Sequence, residues 1–183
     1  MKNEAEFMQT FKRSVRVSRG HSISLAAPLV SGIPDLYIIV PSYIPVLLEA
    51  KWIKGITREK FKRKIRWSGM QKYIIQSLHE ITPFSAMGLI GLHFCNKLYA
   101  VLVAYNTPIF EHFTEDFINC CSYTVWDSEK KCFDILSLFA KVPIPKIGRE
   151  INADTNPRGA ELVAVPPYPT TSNTVGGFGG RLC

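Results

Sequence analysis

Apolar positions near the amino terminus recur at helical spacing. In NEAEFMQTFKRSVRV (3–17), Phe7, Met8, Phe11 and Val15 form one stripe, with Asn3 placed to cap and Glu4 and Glu6 in the first turn, so the pattern predicts a helix. HSISLAAPLV (21–30) reads as a first strand weakened by Pro28. Two apolar runs follow at 35–40 and 46–52, separated by a Pro-flanked break, as in a strand, turn and strand. Residues 61–79 predict a helix whose apolar face is Ile65, Met70, Ile74, Ile75 and Leu78. AMGLIGLHF and KLYAVLVAY then flank Cys95-Asn96 as a hairpin. The stretch 107–141 is mixed, with a helix expected near 114–121 and a strand near 132–139. Beyond it, PIPKIG, TNPRG and VPPYPTTSNTVGGFGG offer little to bury, so 143–183 is expected to be an extended or disordered tail available to a protein partner. The pattern thus predicts an α/β domain over 1–142, a central mixed sheet flanked by helices, with its first elements in the order α-β-β-β-α-β-β.

Charge changes this picture by its placement. The chain carries a net +7, yet residues 51–72 alone hold nine Lys/Arg (Lys51, Lys54, Arg58, Lys60, Lys62, Arg63, Lys64, Arg66 and Lys72) against the single acid Glu59. A basic segment so concentrated points to a polyanionic partner, nucleic acid before an anionic membrane. The five cysteines are odd in number and lack CxxC spacing, and the four histidines are scattered, so neither a zinc site nor a disulfide framework is expected. MKNEAEFMQ is too polar for a signal peptide and AMGLIGLHF too short to span a bilayer, so a cytoplasmic protein without membrane attachment is expected.

The segment GIPDLYIIVPSYIPVLLEAKW (32–52) holds the candidate chemistry. With a turn centred on Tyr43, Leu36 faces Ala50, Ile38 faces Leu48 and Val40 faces Val46, which gives an apolar face on one side of a hairpin. Asp35 then lies opposite Lys51, and Glu49 shares their face, so three charges gather at one end. An Asp opposite a Lys is also what an ordinary surface ion pair looks like, worth about 0–1 kcal/mol. At that outer end, replacing Asp35 or Glu49 by Ala is expected to leave the fold intact.

GIPDL, then LLEAK, then MQKYI on the following helix resemble the PD-(D/E)XK nuclease superfamily, and within it the VRR-NUC-like and Holliday-junction-resolvase-like group, many of whose short members are encoded by bacteriophages. The resemblance covers residues 3–105. It implies a restriction-endonuclease-like core and divalent-metal-dependent hydrolysis of DNA phosphodiester bonds, on branched or junction DNA for the resolvase-like members. It further implies Mg²⁺ or Mn²⁺ held by Asp35, Glu49 and the backbone carbonyl of Ala50, oxygen donors of the kind Mg²⁺ prefers. Lys51 would be the catalytic lysine and Gln71 the helix glutamine that supports the site. The family also supplies a glutamate metal ligand from its first helix; Glu4 fits best because it sits three residues before the inward-facing Phe7, with Glu6 as the alternative. Lys54, Arg58, Lys60, Lys62, Arg63, Lys64 and Arg66 would meet the DNA backbone, and a junction substrate would require a homodimer.

The remaining chemistry-bearing residues read as structural. His93 and Cys95 share a strand face without a third partner, Cys120-Cys121 suits packing, and GGFGG lacks the strand and lysine of a phosphate loop. Trp52, Trp67 and Tyr73 interleave with the basic residues and could stack on bases, although core positions are favoured for Tyr73. Two other readings compete: a catalytically silent nucleic-acid-binding or phage assembly protein on the same fold, and a membrane-surface protein. The second lacks the basic amphipathic helix such binding needs.

Overall fold

The computed structural model describes residues 1, 3–25, 32–54, 62–142, 144 and 146. All of them belong to one compact unit, Met1–Arg149. Helix α1 (Glu4–Val17) begins at Asn3, whose side chain accepts from the Glu6 N–H, and buries Phe7, Phe11, Ser14 and Val15. Strands β1 (His21–Ser24), β2 (Leu36–Ile39) and β3 (Val46–Lys54) form an antiparallel meander. A short strand β4 (Lys62–Lys64) precedes helix α2 (Gly69–Ile81), which returns the chain to β5 (Ala86–Phe94), parallel to β3. Strand β6 (Lys97–Val103) closes the predicted hairpin on β5, and the left-handed pair Cys95 (φ 47°) and Asn96 (φ 59°) makes its two-residue turn.

After β6 come a single 3₁₀ turn (Pro108–Phe110), β7 (His112–Thr114), α3 (Phe117–Cys120), β8 (Ser122–Asp127), β9 (Cys132–Phe133) and α4 (Ile135–Ala140). Seven strands form a mixed sheet in the order β1-β2-β3-β5-β6-β8-β9, while β4 and β7 pair separately. Two cores sandwich the large sheet. Phe7, Phe11 and Val15 of α1 and Ile135, Leu138 and Phe139 of α4 pack on one face. Ile75 of α2, Phe117 of α3, and Ile109, Phe110 and Phe113 pack on the other. The expected central mixed sheet flanked by helices is therefore present.

Two close approaches fix the layers. At Gly91 a Cβ would stand 2.5 Å from Phe7 Cγ, so the α1 aromatic rests directly on the β5 backbone. At Gly88, on the opposite face, a Cβ would stand 2.7 Å from Trp67 Cη2. Only glycine admits an aromatic ring this close.

Several expectations are corrected. The helix expected over 61–79 starts at Gly69: Ser68 and Gln71 form a reciprocal capping box, and residues 62–64 before it are strand. The strand expected near 132–139 is β9 followed by α4, because Asp134 caps that helix by accepting from Ser137 N–H at 3.0 Å. The hairpin register also differs. Leu36 pairs with Leu48 and Ile38 with Val46, two residues from the expected alignment, so Asp35 does not face Lys51. Tyr73, favoured for the core, is 65% exposed, and Met70 is exposed on the same side of α2. Ile144 is buried against the α1 side of the sheet and Lys146 bridges to Tyr43, so packing continues past Val142.

Candidate active site

The site grows from a mismatch in strand length. Strand β3 runs on to Lys54, but β2 starts at Leu36, opposite Leu48. Beyond that point β3 pairs with β5 on one side and has no β2 partner on the other. A residue's N–H and C=O point to the same side of a strand, so the polar backbone of Ala50 and Trp52 on the β2 side needs other partners. Two carboxylates supply them. Asp35 Oδ2 accepts from the Ala50 N–H at 2.8 Å, and Glu4 Oε2 accepts from the Trp52 N–H at 3.2 Å. The Ala50 carbonyl points to that same open side.

Glu49 lies between these residues on the α2 face of the sheet and is 2% exposed. Its Oε1 accepts from Lys51 Nζ at 2.8 Å and from Gln71 Nε2. Its Oε2 is buried without a hydrogen-bond partner. Burial pushes the Glu49 carboxyl above its ordinary range; the Lys51 hydrogen bond opposes this, and the charges of Asp35 and Glu4 add to the rise. Both acids are therefore close enough to act on Glu49 electrostatically.

Helix α2 and its approach orient the rest. Gln71 Oε1 accepts from the Ser68 N–H at 2.8 Å, which leaves its amide nitrogen directed at Glu49. Lys51 Nζ stands 5.6 Å from the centre of the Trp67 ring. That indole is held by its own N–H, which donates to the Phe110 carbonyl at 2.7 Å, and by stacking on Phe110 at 4.7 Å and 10°. Lys51 reaches solvent, its side chain 23% exposed. The sequence offers Trp67 only as a base-stacking candidate and not as the support of Lys51, and the Ser68 cap goes unread, though the S-x-x-Q spacing ahead of an apolar run signals it.

The structure thus brings Asp35, Glu49, Ala50, Lys51, Gln71 and Glu4 together. Glu6, the alternative to Glu4, lies 3.8 Å from the Met1 amine on the outer side of α1. Trp52 packs on Phe7, with ring centres 5.8 Å apart, and Trp67 is buried, so neither is free to stack on a base. Lys54, Lys62, Arg63, Lys64 and Arg66 are exposed, whereas Arg58 and Lys60 lie outside the described residues. Among the described residues, no three His, Cys, Asp or Glu side chains form a ready-made metal-binding group. The donor set that fits a hard cation is smaller: the unpartnered Glu49 Oε2, the Asp35 carboxylate and the Ala50 carbonyl, with waters completing the shell as Mg²⁺ commonly retains them. Among the described residues no helix is long and apolar enough to cross a membrane. No family model, curated protein or solved structure matches the chain.

The expectation that Asp35→Ala leaves the fold intact acquires a stability cost from this geometry. Asp35→Ala orphans the Ala50 N–H and should cost about 1–3 kcal/mol, while Asp35→Asn keeps an acceptor and should cost less. Denaturant midpoints of the two variants, measured side by side, test the ordering; equal midpoints would mean the bond contributes nothing.

Proposed function

We propose that the protein is a divalent-metal-dependent endonuclease that hydrolyses DNA phosphodiester bonds, built on a PD-(D/E)XK plan. The observation that carries this reading is the buried Glu49 Oε2 without a partner, set beside Asp35, the Ala50 carbonyl and Lys51. A buried carboxylate oxygen left unsatisfied is costly, and such groups persist where a ligand completes them. The sequence of a helix, an antiparallel meander, and a helix leading to a strand parallel to β3 supports the same reading.

Asp35, Glu49 and the Ala50 carbonyl would hold Mg²⁺ or Mn²⁺, which when bound polarises the phosphate and lowers the pKa of a coordinated water. Lys51, tethered to Glu49 and seated over Trp67, presents a fixed cation where negative charge builds on the phosphate in the transition state. Gln71 holds the Glu49 carboxylate in one orientation, with its own amide fixed by Ser68. Glu4 closes the open edge of β3 and adds negative charge beside the cation position. A DNA substrate suits a cytoplasmic activity, and a junction substrate would call for a homodimer.

One observation favours a second reading. Asp35 and Glu4 each already accept from a β3 amide, as acids that merely close a strand edge would. In that case the chain is a catalytically silent nucleic-acid-binding or phage assembly protein. Incubation with supercoiled plasmid and with branched DNA, with and without Mg²⁺ or Mn²⁺, separates the two. Metal-dependent nicking supports the nuclease; intact substrates in both metals reject it.

A further inference from the structure

Strands β4 and β7 form a two-stranded ribbon apart from the main sheet, with Lys62 opposite Thr114, Arg63 opposite Phe113 and Lys64 opposite His112. Cross-strand partners share a face. Lys62, Lys64, His112 and Thr114 therefore lie on one side, while Phe113 on the other is fully buried and stacks on Phe117 at 5.4 Å. The ribbon is pinned to the site: Ile65 N–H donates to the Glu111 carbonyl at 3.0 Å, and Trp67, two residues on, both donates to Phe110 and carries Lys51 over its ring.

We infer that the outer face of this ribbon binds the phosphate backbone of double-stranded nucleic acid. The inference rests on the nuclease reading for its substrate class, though not for its test. Three features favour it. Lys62 and Lys64 are exposed and two residues apart on an extended strand, roughly 6.5 Å of linear spacing, which suits a regular line of negative charges. No ion pair within the described residues ties up Lys62, Arg63, Lys64 or Arg66; Glu111, beside the Lys64 end, is engaged by Lys72, whose hydrogen bond and charge, with a smaller pull from Lys64, hold its carboxyl below the ordinary range. Glu115 and Asp116 follow Thr114 at the Lys62 end of the ribbon, where Asp116 accepts from Thr114.

The third feature separates duplex from single strand. Single-strand binders lay bases on exposed aromatic rings, but the ribbon's large aromatics, Trp67, Phe110 and Phe113, are all turned inward and buried. A cationic face on which the imidazole of His112 is the one exposed ring among residues 62–67 and 110–114, the larger rings being buried, suits a partner whose bases are already stacked on each other. The absence of any large exposed apolar residue at 62–66 or 112–114 also argues against membrane insertion.

The test is fluorescence anisotropy of the full chain with a short labelled duplex and with either of its strands, in EDTA, across a salt series. Wild type should bind the duplex more tightly than the single strand. Lys62→Ala/Lys64→Ala should flatten the log–log salt slope on duplex by about 1.8, since each phosphate contact contributes about 0.9. Lys97→Ala/Lys131→Ala, which removes equal charge elsewhere, should leave the slope unchanged. A ribbon variant with the wild-type slope, a control that flattens it equally, or tighter binding to single strand would each overturn the inference. Because binding is read without metal, duplex binding in a protein that never cleaves would reject only the nuclease reading.

Discussion

Glu49→Gln is expected to abolish cleavage, by about 10³-fold or more, while making the folded protein more stable. The two effects share one cause. Glu49 is 2% exposed, and one of its carboxylate oxygens is buried without a partner. Such a carboxylate retains the desolvation cost that pushes its pKa up, against the pull of Lys51. Gln keeps the shape and an acceptor for Lys51 and Gln71 but removes the charge on which metal binding and phosphate activation would depend. An acid whose folded pKa is raised binds protons more tightly when folded, so its charged form lowers stability as pH rises from its unfolded value of 4.5 through the raised folded value. The gain from Glu49→Gln should thus grow as pH rises above the ordinary carboxylate range and vanish below it. Denaturation curves at several pH values, paired with plasmid nicking in Mg²⁺, check both halves. A variant that is less stable at neutral pH would make Glu49 a structural ion-pair partner, and one that still nicks at the wild-type rate would remove it from the site.

How far the sequence foretold this site depends on what a period-two or period-3.6 pattern can carry. Helix α1 was legible because Phe7, Phe11 and Val15 are buried on one stripe. The β5–β6 hairpin was legible because its left-handed turn falls on Cys95-Asn96 between two apolar runs. The β2–β3 faces were legible and the register was not. A one-residue slip turns every side chain over, whereas the two-residue slip seen here leaves the same residues inside, so the apolar pattern cannot detect it. What set the register was tertiary: Tyr43, taken as the turn apex, is buried against Phe139 at 5.7 Å and bridges to Lys146, while the left-handed Ser42 (φ 70°) makes the bend. The slip also changed the chemistry of the site. Asp35 reaches the Ala50 amide rather than Lys51, and Lys51 pairs with Glu49 along its own strand. Strand β4 was illegible for a related reason: KRK has no apolar signal, and its partner β7 lies far along the chain. In 132–139 the sequence carries a helical signal that its apolar content masks as a strand: Ile135, Leu138 and Phe139 stand at i, i+3 and i+4 behind an Asp cap.

Lys51→Met should stop turnover yet leave metal binding intact or tighten it. Lys51 Nζ donates to Glu49 Oε1 at 2.8 Å, and its Coulombic attraction is one of the two influences that lower the Glu49 pKa. A lysine is no metal ligand, so its loss removes a cation from beside the proposed cation position and leaves Gln71 as the remaining donor to Glu49 Oε1. Met fills much the same space against Trp67, so the roof formed by Trp67, Phe110 and Gly88 keeps its packing. What disappears is the fixed positive charge facing the phosphate, a loss of about 10²–10³ in kcat by analogy with other preorganised charge stabilisers. Glu49 then loses its main counter to burial, and its pKa should rise further above 4.5. Stability of the variant should therefore fall over a wider pH window than in wild type, beginning at the same unfolded value and ending higher. Calorimetric titration with Mn²⁺ and single-turnover cleavage separate the roles. Retained Mn²⁺ binding with lost turnover is the expected pair. If metal binding disappears together with activity, Lys51 is a structural partner that holds Glu49 in place, and the charge facing the phosphate must come from elsewhere.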